Sequence, residues 1–253
     1  NKIYFNLKIY ANLFKHKLTK KIKMRLELEK KPKGVKLIAG FPGFGLIGTI
    51  TTEFLIEHLK AVQIGKIKID ELPPIVAVHQ GQVIEPVGIF YSKKYNLVIL
   101  HALTSISGIE WALQNEICKL QEELKVKELI TIEGIGSQNT ENINVYYISN
   151  KKVDKKLNLN PLKEGIILGV SGALLLRNCT NLLALFVETH STLPDSRGAA
   201  KMIEVLDKYL GLKVDYKPLL EKAVKFEAKI KDLMAKKEKA SSSQEKKELT
   251  YLG

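Results

Sequence analysis

The chain has 253 residues, 45% of them hydrophobic, which suffices for a substantial buried core in one large domain or two small ones and excludes disorder as its overall state. The formal charge of +13 sits at the ends: residues 1–36 carry twelve basic and two acidic side chains, residues 217–253 ten and six, and the middle is balanced at −1. With 7% aromatic residues and only Arg177 and Arg197 as arginines in that middle, the chain lacks the basic, aromatic-lined groove of a nucleic-acid binder.

Residues 1–33 read as a basic N-terminal arm, of which 1–23, with seven lysines and no acid, stand upstream of the recognisable sequence that Met24 opens. Asn and Lys interrupt their apolar positions, so they lack the continuous apolar block of a secretory signal, and a cytoplasmic location is expected. An α/β core follows over 34–216, where strand-length apolar runs alternate with helical patterns, the mark of a mainly parallel sheet covered by helices. A strand is predicted at 35–39, then a glycine-rich turn, a helix over 46–59 and a strand at 65–70. After Leu72-Pro-Pro come two or three short strands turned at Gln80-Gly81 and Glu85-Pro86. A buried strand at 97–102 precedes a helix capped by Ser107 and running to 124. The next strand, 128–133, is stopped by Gly134-Ile-Gly136. Short strands follow at 145–149 and 165–169, with a helix starting near Ser171-Gly172, a strand at 182–188 and a helix from Asp195 to about 209. No apolar run reaches the 18–20 residues or so that span a bilayer. The two cysteines, Cys118 and Cys179, are too few for a disulfide framework or a cysteine-rich zinc site and read as reduced packing residues.

Residues 217–239 form a charged helix whose apolar positions Leu219, Ala223, Phe226, Ile230 and Leu233 are spaced 4, 3, 4, 3. That narrow seam suits a partner helix, and Leu219, Phe226, Ile230 and Leu233 are candidate oligomer-interface residues; packing on its own domain is the other reading. A polar linker then leads into the flexible tail, 240–253, and its tip LTYLG.

The sharpest local motif is Gly43-Phe-Gly45-Leu-Ile-Gly48 between a strand and a helix, with Asp70 about twenty residues on, where a dinucleotide fold places its ribose-binding acid. Gly43, Gly45, Gly48 and Asp70 are thus the cofactor-binding set if the chain is an enzyme of nucleoside or nucleotide chemistry. Against that, Pro42 and Phe44 make the loop bulky, and Pro73-Pro74 breaks the chain where a second crossover helix belongs. The glycines are better read as permitting tight turning and close helix packing, so no cofactor is assigned. His101, Glu133, Glu188 and His190 fall at the carboxyl ends of predicted strands, where open α/β sheets place ligands. No nucleophile elbow, HExxH or paired metal-ligand spacing accompanies them, and neither a catalytic nor a metal residue is assigned.

Taken in order, GFPGFGLIG at 40–48, ELPP at 71–74, GVSGALLL at 169–176 and the segment from Glu188-Thr-His to Pro194-Asp-Ser-Arg-Gly-Ala-Ala200 resemble the proteasome assembly chaperone family, specifically its archaeal members, across 34–211. The resemblance implies a three-layer α/β/α sandwich like that of purine nucleoside phosphorylases, used without catalysis. It also implies a homo-oligomer that engages proteasome α subunits. Members that dock on the proteasome often end in a hydrophobic residue, Tyr and any residue. Here Tyr251 is third from the end, one position out of register, and Thr250 is not hydrophobic. Leu249, Tyr251, Leu252 and Gly253 are the candidate partner-binding residues.

Overall fold

Alternate residues of the strand Leu97–Ala102 serve two different helix layers: Val98, Leu100 and Ala102 face one core, Leu97 and Ile99 the other. Being buried on both faces explains why such strands read as unbroken apolar runs rather than as alternating ones. The computed structural model describes residues 22–72, 77–79, 82–137, 143–177, 181–189, 193–218 and 220–221.

The strands are β1 (Met24–Leu28), β2 (Lys36–Gly40), β3 (Val62–Ile69), β4 (Ala77–His79), β5 (Gln82–Ile84), β6 (Val87–Ser92), β7 (Leu97–Ala102), β8 (Glu128–Gly136), β9 (Val145–Ser149), β10 (Asn160–Pro161) and β11 (Leu182–Thr189). The helices are α1 (Ile47–His58), α2 (Glu110–Leu124), α3 (Gly169–Leu176) and α4 (Ser196–Leu210). Nine strands form one sheet in the order β1-β3-β6-β7-β2-β8-β11-β9-β10, and β4 and β5 form a separate hairpin. The sheet is less parallel than the alternation predicts. The central β7-β2-β8-β11 block and the β9-β10 pair are parallel, whereas β1-β3, β3-β6, β6-β7 and β11-β9 are antiparallel.

Helices α1 and α4 cover one face over Ile38, Ile99, Ile130 and Leu185; α2 and α3 cover the other over Leu37, Leu100, Leu129 and Leu182. Leu113, Ile117, Leu120 and Leu124 give α2 a stripe at 4, 3, 4 spacing that is wholly buried. Each such side chain contributes about 1.5–3 kcal/mol on burial. At the opposite end of the sheet from the glycine loop, buried Glu128 accepts from Lys36 (3.1 Å), Lys151 (2.7 Å) and Tyr209 (2.7 Å), joining β2, β8 and α4. Burial pushes its carboxyl up, but those three bonds more than offset it and hold it below the usual range.

Several boundaries differ from the sequence expectation. Met24–Leu28 is the outermost strand of the sheet rather than part of an arm, so the core begins before residue 34. Ser107 does not cap α2. The helix starts at Glu110, and the Gly108 N–H donates to the Glu110 carboxylate at 2.9 Å. Gly134 and Gly136 do not stop β8 but lie within it, paired with Val187 and Thr189. Residues 165–169 form no strand; the apolar run coils instead into α3 from Gly169, whose φ of 71° only glycine adopts readily. An uninterrupted apolar run carries no periodicity to separate those two outcomes. Asp195 caps α4 as expected, accepting from the Gly198 N–H at 2.8 Å, and Gly211 closes it in the left-handed region.

Candidate functional site

The carboxyl ends of β2, β8 and β11 meet at the loop over residues 41–46, which packs against them. Gly40 and Gly48 bring the first turn of α1 onto the strand end: a Cβ on Gly40 would stand 2.3 Å from the Gly48 oxygen, and one on Gly48 2.6 Å from Phe41 N and O. Gly45 (φ 63°) and Leu46 (φ 50°) are both left-handed, which costs a leucine about 1–2 kcal/mol. Two bonds hold the turn, Leu46 N–H to Gly43 O at 3.0 Å and Asp195 N–H to Gly45 O at 2.8 Å. The Phe44 backbone lies on Gly134 of β8, and Gly45 lies against Thr189 and Asp195. A Cβ on Gly43 would come within 3.2 Å of Glu133 Oε1. The loop is thus pressed onto the strand ends, with the Glu133 and Asp195 side chains and no cation against it.

Two titratable groups nearby are shifted away from charge. Burial lowers His101 to about 4, so its imidazole is neutral. Its Nδ1 lies 2.8 Å from Thr52 Oγ1, whose own hydroxyl donates to Gly48 O at 2.7 Å. That contact ties β7 to α1 beneath the glycine loop. Burial pushes Glu133 up to about 7, partly offset by a hydrogen bond from Ser171. Ser171 also meets Thr131 at 2.8 Å, which ties α3 to β8.

The dinucleotide set is not assembled. Asp70 follows β3, and β6 and β7 stand between β3 and β2, so Asp70 is about 14 Å from the glycine strand by strand spacing alone. Its carboxylate pairs with Lys68 at 3.9 Å. Glu188 is also committed: it accepts from Asn144 N and Nδ2 at 3.2 and 2.9 Å and from the Tyr146 hydroxyl at 3.3 Å, fastening β11 to the approach to β9. His190, Cys179, Pro73-Pro74, the seam positions Leu219, Ala223, Phe226, Ile230 and Leu233, and the tip residues Leu249, Tyr251, Leu252 and Gly253 lie outside the described residues. Among the described residues no three His, Cys, Asp or Glu side chains converge on a metal-sized site.

What the sequence does not disclose is how much apolar surface faces solvent. Phe44 at the loop tip is 45% exposed and Leu193 beyond β11 is 41% exposed. On the other face of the sheet Ile166 (86%), Leu168, Leu176 (73%) and Trp111 (50%) are exposed, with the Arg177 guanidinium 5.5 Å from the Trp111 ring centre. An apolar run such as 166–176 reads as core in sequence, and only the packing shows which of its members are left out.

The described residues thus form a mixed-sheet α/β/α sandwich with a glycine loop packed onto the strand ends and several apolar side chains exposed. The chain belongs to the PAC2 family, whose model matches residues 37–234. It is similar to Pyrococcus furiosus PbaA, an archaeal homolog of proteasome-assembly chaperone, at 28% identity over 88% of this chain and 97% of that one, with a TM-score of 0.74. The fold is also shared with Pyrococcus furiosus PbaB, an archaeal proteasome activator, at 20% identity and a TM-score of 0.71 over 84% of this chain and 99% of that one. The uncharacterized protein MJ0106 of Methanocaldococcus jannaschii is 28% identical over 85% of this chain and 92% of its own length. The family resemblance carried by the four motifs is thereby upheld.

Proposed function

We propose that this chain is a homo-oligomeric, cytoplasmic proteasome assembly factor that binds α subunits or rings by protein–protein contacts and performs no catalysis. The observation that carries this reading is the 28% identity and common fold with PbaA over nearly the whole of both chains. The packing of the glycine loop supports it: Gly43 lies against Glu133 and Gly45 against Thr189 and Asp195, side chains that bring no positive charge to a nucleotide phosphate. No helix among the described residues is long and apolar enough to cross a membrane. Association draws on the seam of residues 219–233, and the tip residues Leu249, Tyr251, Leu252 and Gly253 reach the partner. Capture of tagged protein from a native lysate, with co-purifying chains identified by mass, tests this. Recovery of proteasome α subunits is expected, and their absence at every salt concentration, with the partner recovered elsewhere, overturns it.

A further inference from the structure

The nine-stranded sheet ends on β1, and no strand among the described residues pairs on its far side. The bonds Asp70 N–H to Lys23 O and Glu29 N–H to Ile64 O bracket its ladder with β3, so odd-numbered residues turn their backbone groups inward. Met24, Leu26 and Leu28 therefore turn theirs outward. The Leu26 N–H confirms the direction, because it has recruited the Glu116 carboxylate of α2 as a substitute acceptor at 3.2 Å. An open edge of this kind is a template for another strand.

We propose that β1 is a contact between two copies of this chain, paired antiparallel about a two-fold axis at Leu26. The sequence Met-Arg-Leu-Glu-Leu is self-complementary in that register: Arg25 faces the partner's Glu27, Glu27 the partner's Arg25, and Met24 the partner's Leu28. Placing the axis at Arg25 or at Glu27 instead sets like charges directly opposite each other, which destabilises a strand pair. Arg25 lacks an anion on its paired side, where its neighbour on β3 is Lys68; the partner's Glu27 supplies one from the open side. Within one copy Arg25 reaches Glu27 at 2.8 Å on the surface, an exposed and weakly stabilising pair that is readily exchanged for a cross-copy one. The Leu26 carbonyl of the second copy replaces Glu116 as acceptor, and Glu116 keeps its pair with Lys119 at 2.6 Å.

A five-residue edge is small beside the 1,200 Å² or so of total buried area that stable association needs, and the adjoining surface extends it. A groove of about 580 Å³ runs between Met24 and the outer flank of α2 to Arg177, which stacks on half-exposed Trp111 next to exposed Leu176. Edge, groove and apolar patch are continuous, and a two-fold axis at Leu26 brings the α2 flanks of the two copies side by side.

This inference rests on the homo-oligomer of the proposed function and adds a surface to it. The test is light scattering on the full chain and on Arg25→Glu, Glu27→Arg, their double variant and an equimolar mixture of the two single variants. The intact protein is expected to form particles of an even number of 28.4 kDa chains. Each single variant places like charges across the axis and is expected to halve the mass. The mixture pairs an all-acidic β1 with an all-basic one and restores it, and the double variant, with its charges merely exchanged, keeps it. A monomeric wild type overturns both this inference and the homo-oligomer. An oligomeric wild type whose mass no single variant changes, or single variants that stay small when mixed, overturns the β1 contact alone.

Discussion

The Phe44 carbonyl oxygen occupies the position where a side chain on Gly134 would begin: a Cβ there would stand 2.2 Å from that oxygen and 2.9 Å from Ile47 Cγ1. The loop after β2 and the end of β8 fit together only because residue 134 has no side chain. Gly134→Ala is therefore expected to force the loop off the strand and cost about 1–3 kcal/mol, the usual penalty of overpacking. In a chain of this size that lowers Tm by roughly 2–12 °C. Gly136→Ala is the control, since its Cβ would meet nothing closer than Phe44 Cε1 at 3.9 Å and its φ is not left-handed. Urea denaturation of both variants checks the pair; equal stability would show that the loop yields freely.

Glu133 gives the fold a pH dependence of a definite sign. Its folded-state pKa, pushed up by burial to about 7, exceeds its unfolded value of about 4.5, so the native state binds the proton more tightly. Its stabilising contribution is full below pH 4.5 and is lost as pH rises through 7. His101, lowered to about 4, works the other way: its contribution is full above about 6.5 and is lost as pH falls towards 4. The two slopes oppose each other in the intact protein, so the informative quantity is a difference. Glu133→Gln removes the ionisable group, and its stability relative to wild type is expected to rise between pH 4.5 and 8 by on the order of 1–3 kcal/mol. A flat difference profile would show that Glu133 ionises freely.

The alternation of β2, β7, β8 and β11 with helices was legible because buried parallel strands are continuous apolar runs and Asp195 is a strong cap signal. β1 was not, because its Arg and Glu resemble an exposed arm and its pairing with β3 spans about forty residues. Asp70 shows the limit of spacing as a guide: it stands the right number of residues after the glycines, yet the chain inserts its next parallel strand elsewhere in the sheet. The acidic lining of the glycine loop was equally hidden, since Gly43 and Glu133 are ninety residues apart.

That lining leads to a binding prediction. Pyrophosphate recognition at a glycine loop needs backbone amides free to face the ligand and is helped by positive charge beside them. Here the side chains against the loop are Glu133, Thr189 and Asp195, none of them a cation, and Asp70 is three strands away. Calorimetric titration with NAD, NADP and ATP is expected to release no binding heat. Micromolar affinity for any of the three would revive the nucleotide-enzyme reading.

The seam at 219–233 can be separated from the β1 edge experimentally. Leu220, at its start, packs against the core beneath α1 and α4, on the opposite side of the sheet from the Trp111 patch. Replacing Phe226 and Ile230 together by Asp puts two carboxylates on the seam, and burying an unpaired carboxylate is costly. Light scattering is expected to report a smaller particle, independently of the β1 variants. Unchanged mass with unchanged stability would show that the seam joins nothing.

The last prediction concerns the tip. Residues 236–248 are largely Lys, Glu and Ser and supply too little apolar surface to offset a backbone ordering cost of about 1–2 kcal/mol per residue. Leu249, Tyr251 and Leu252 can do so when a partner offers a pocket, because one aromatic and two leucines each recover about 1.5–3 kcal/mol on full burial. Deleting 249–253 is therefore expected to leave thermal stability unchanged while weakening binding to an immobilised α-subunit ring at least tenfold by surface plasmon resonance. Restoring only the first four residues, so that Tyr251 becomes second from the end and the register matches that of docking family members, is expected to recover binding. Equal binding by the truncated chain would move the contact to the folded body, where Phe44 at the tip of the glycine loop is an exposed apolar group.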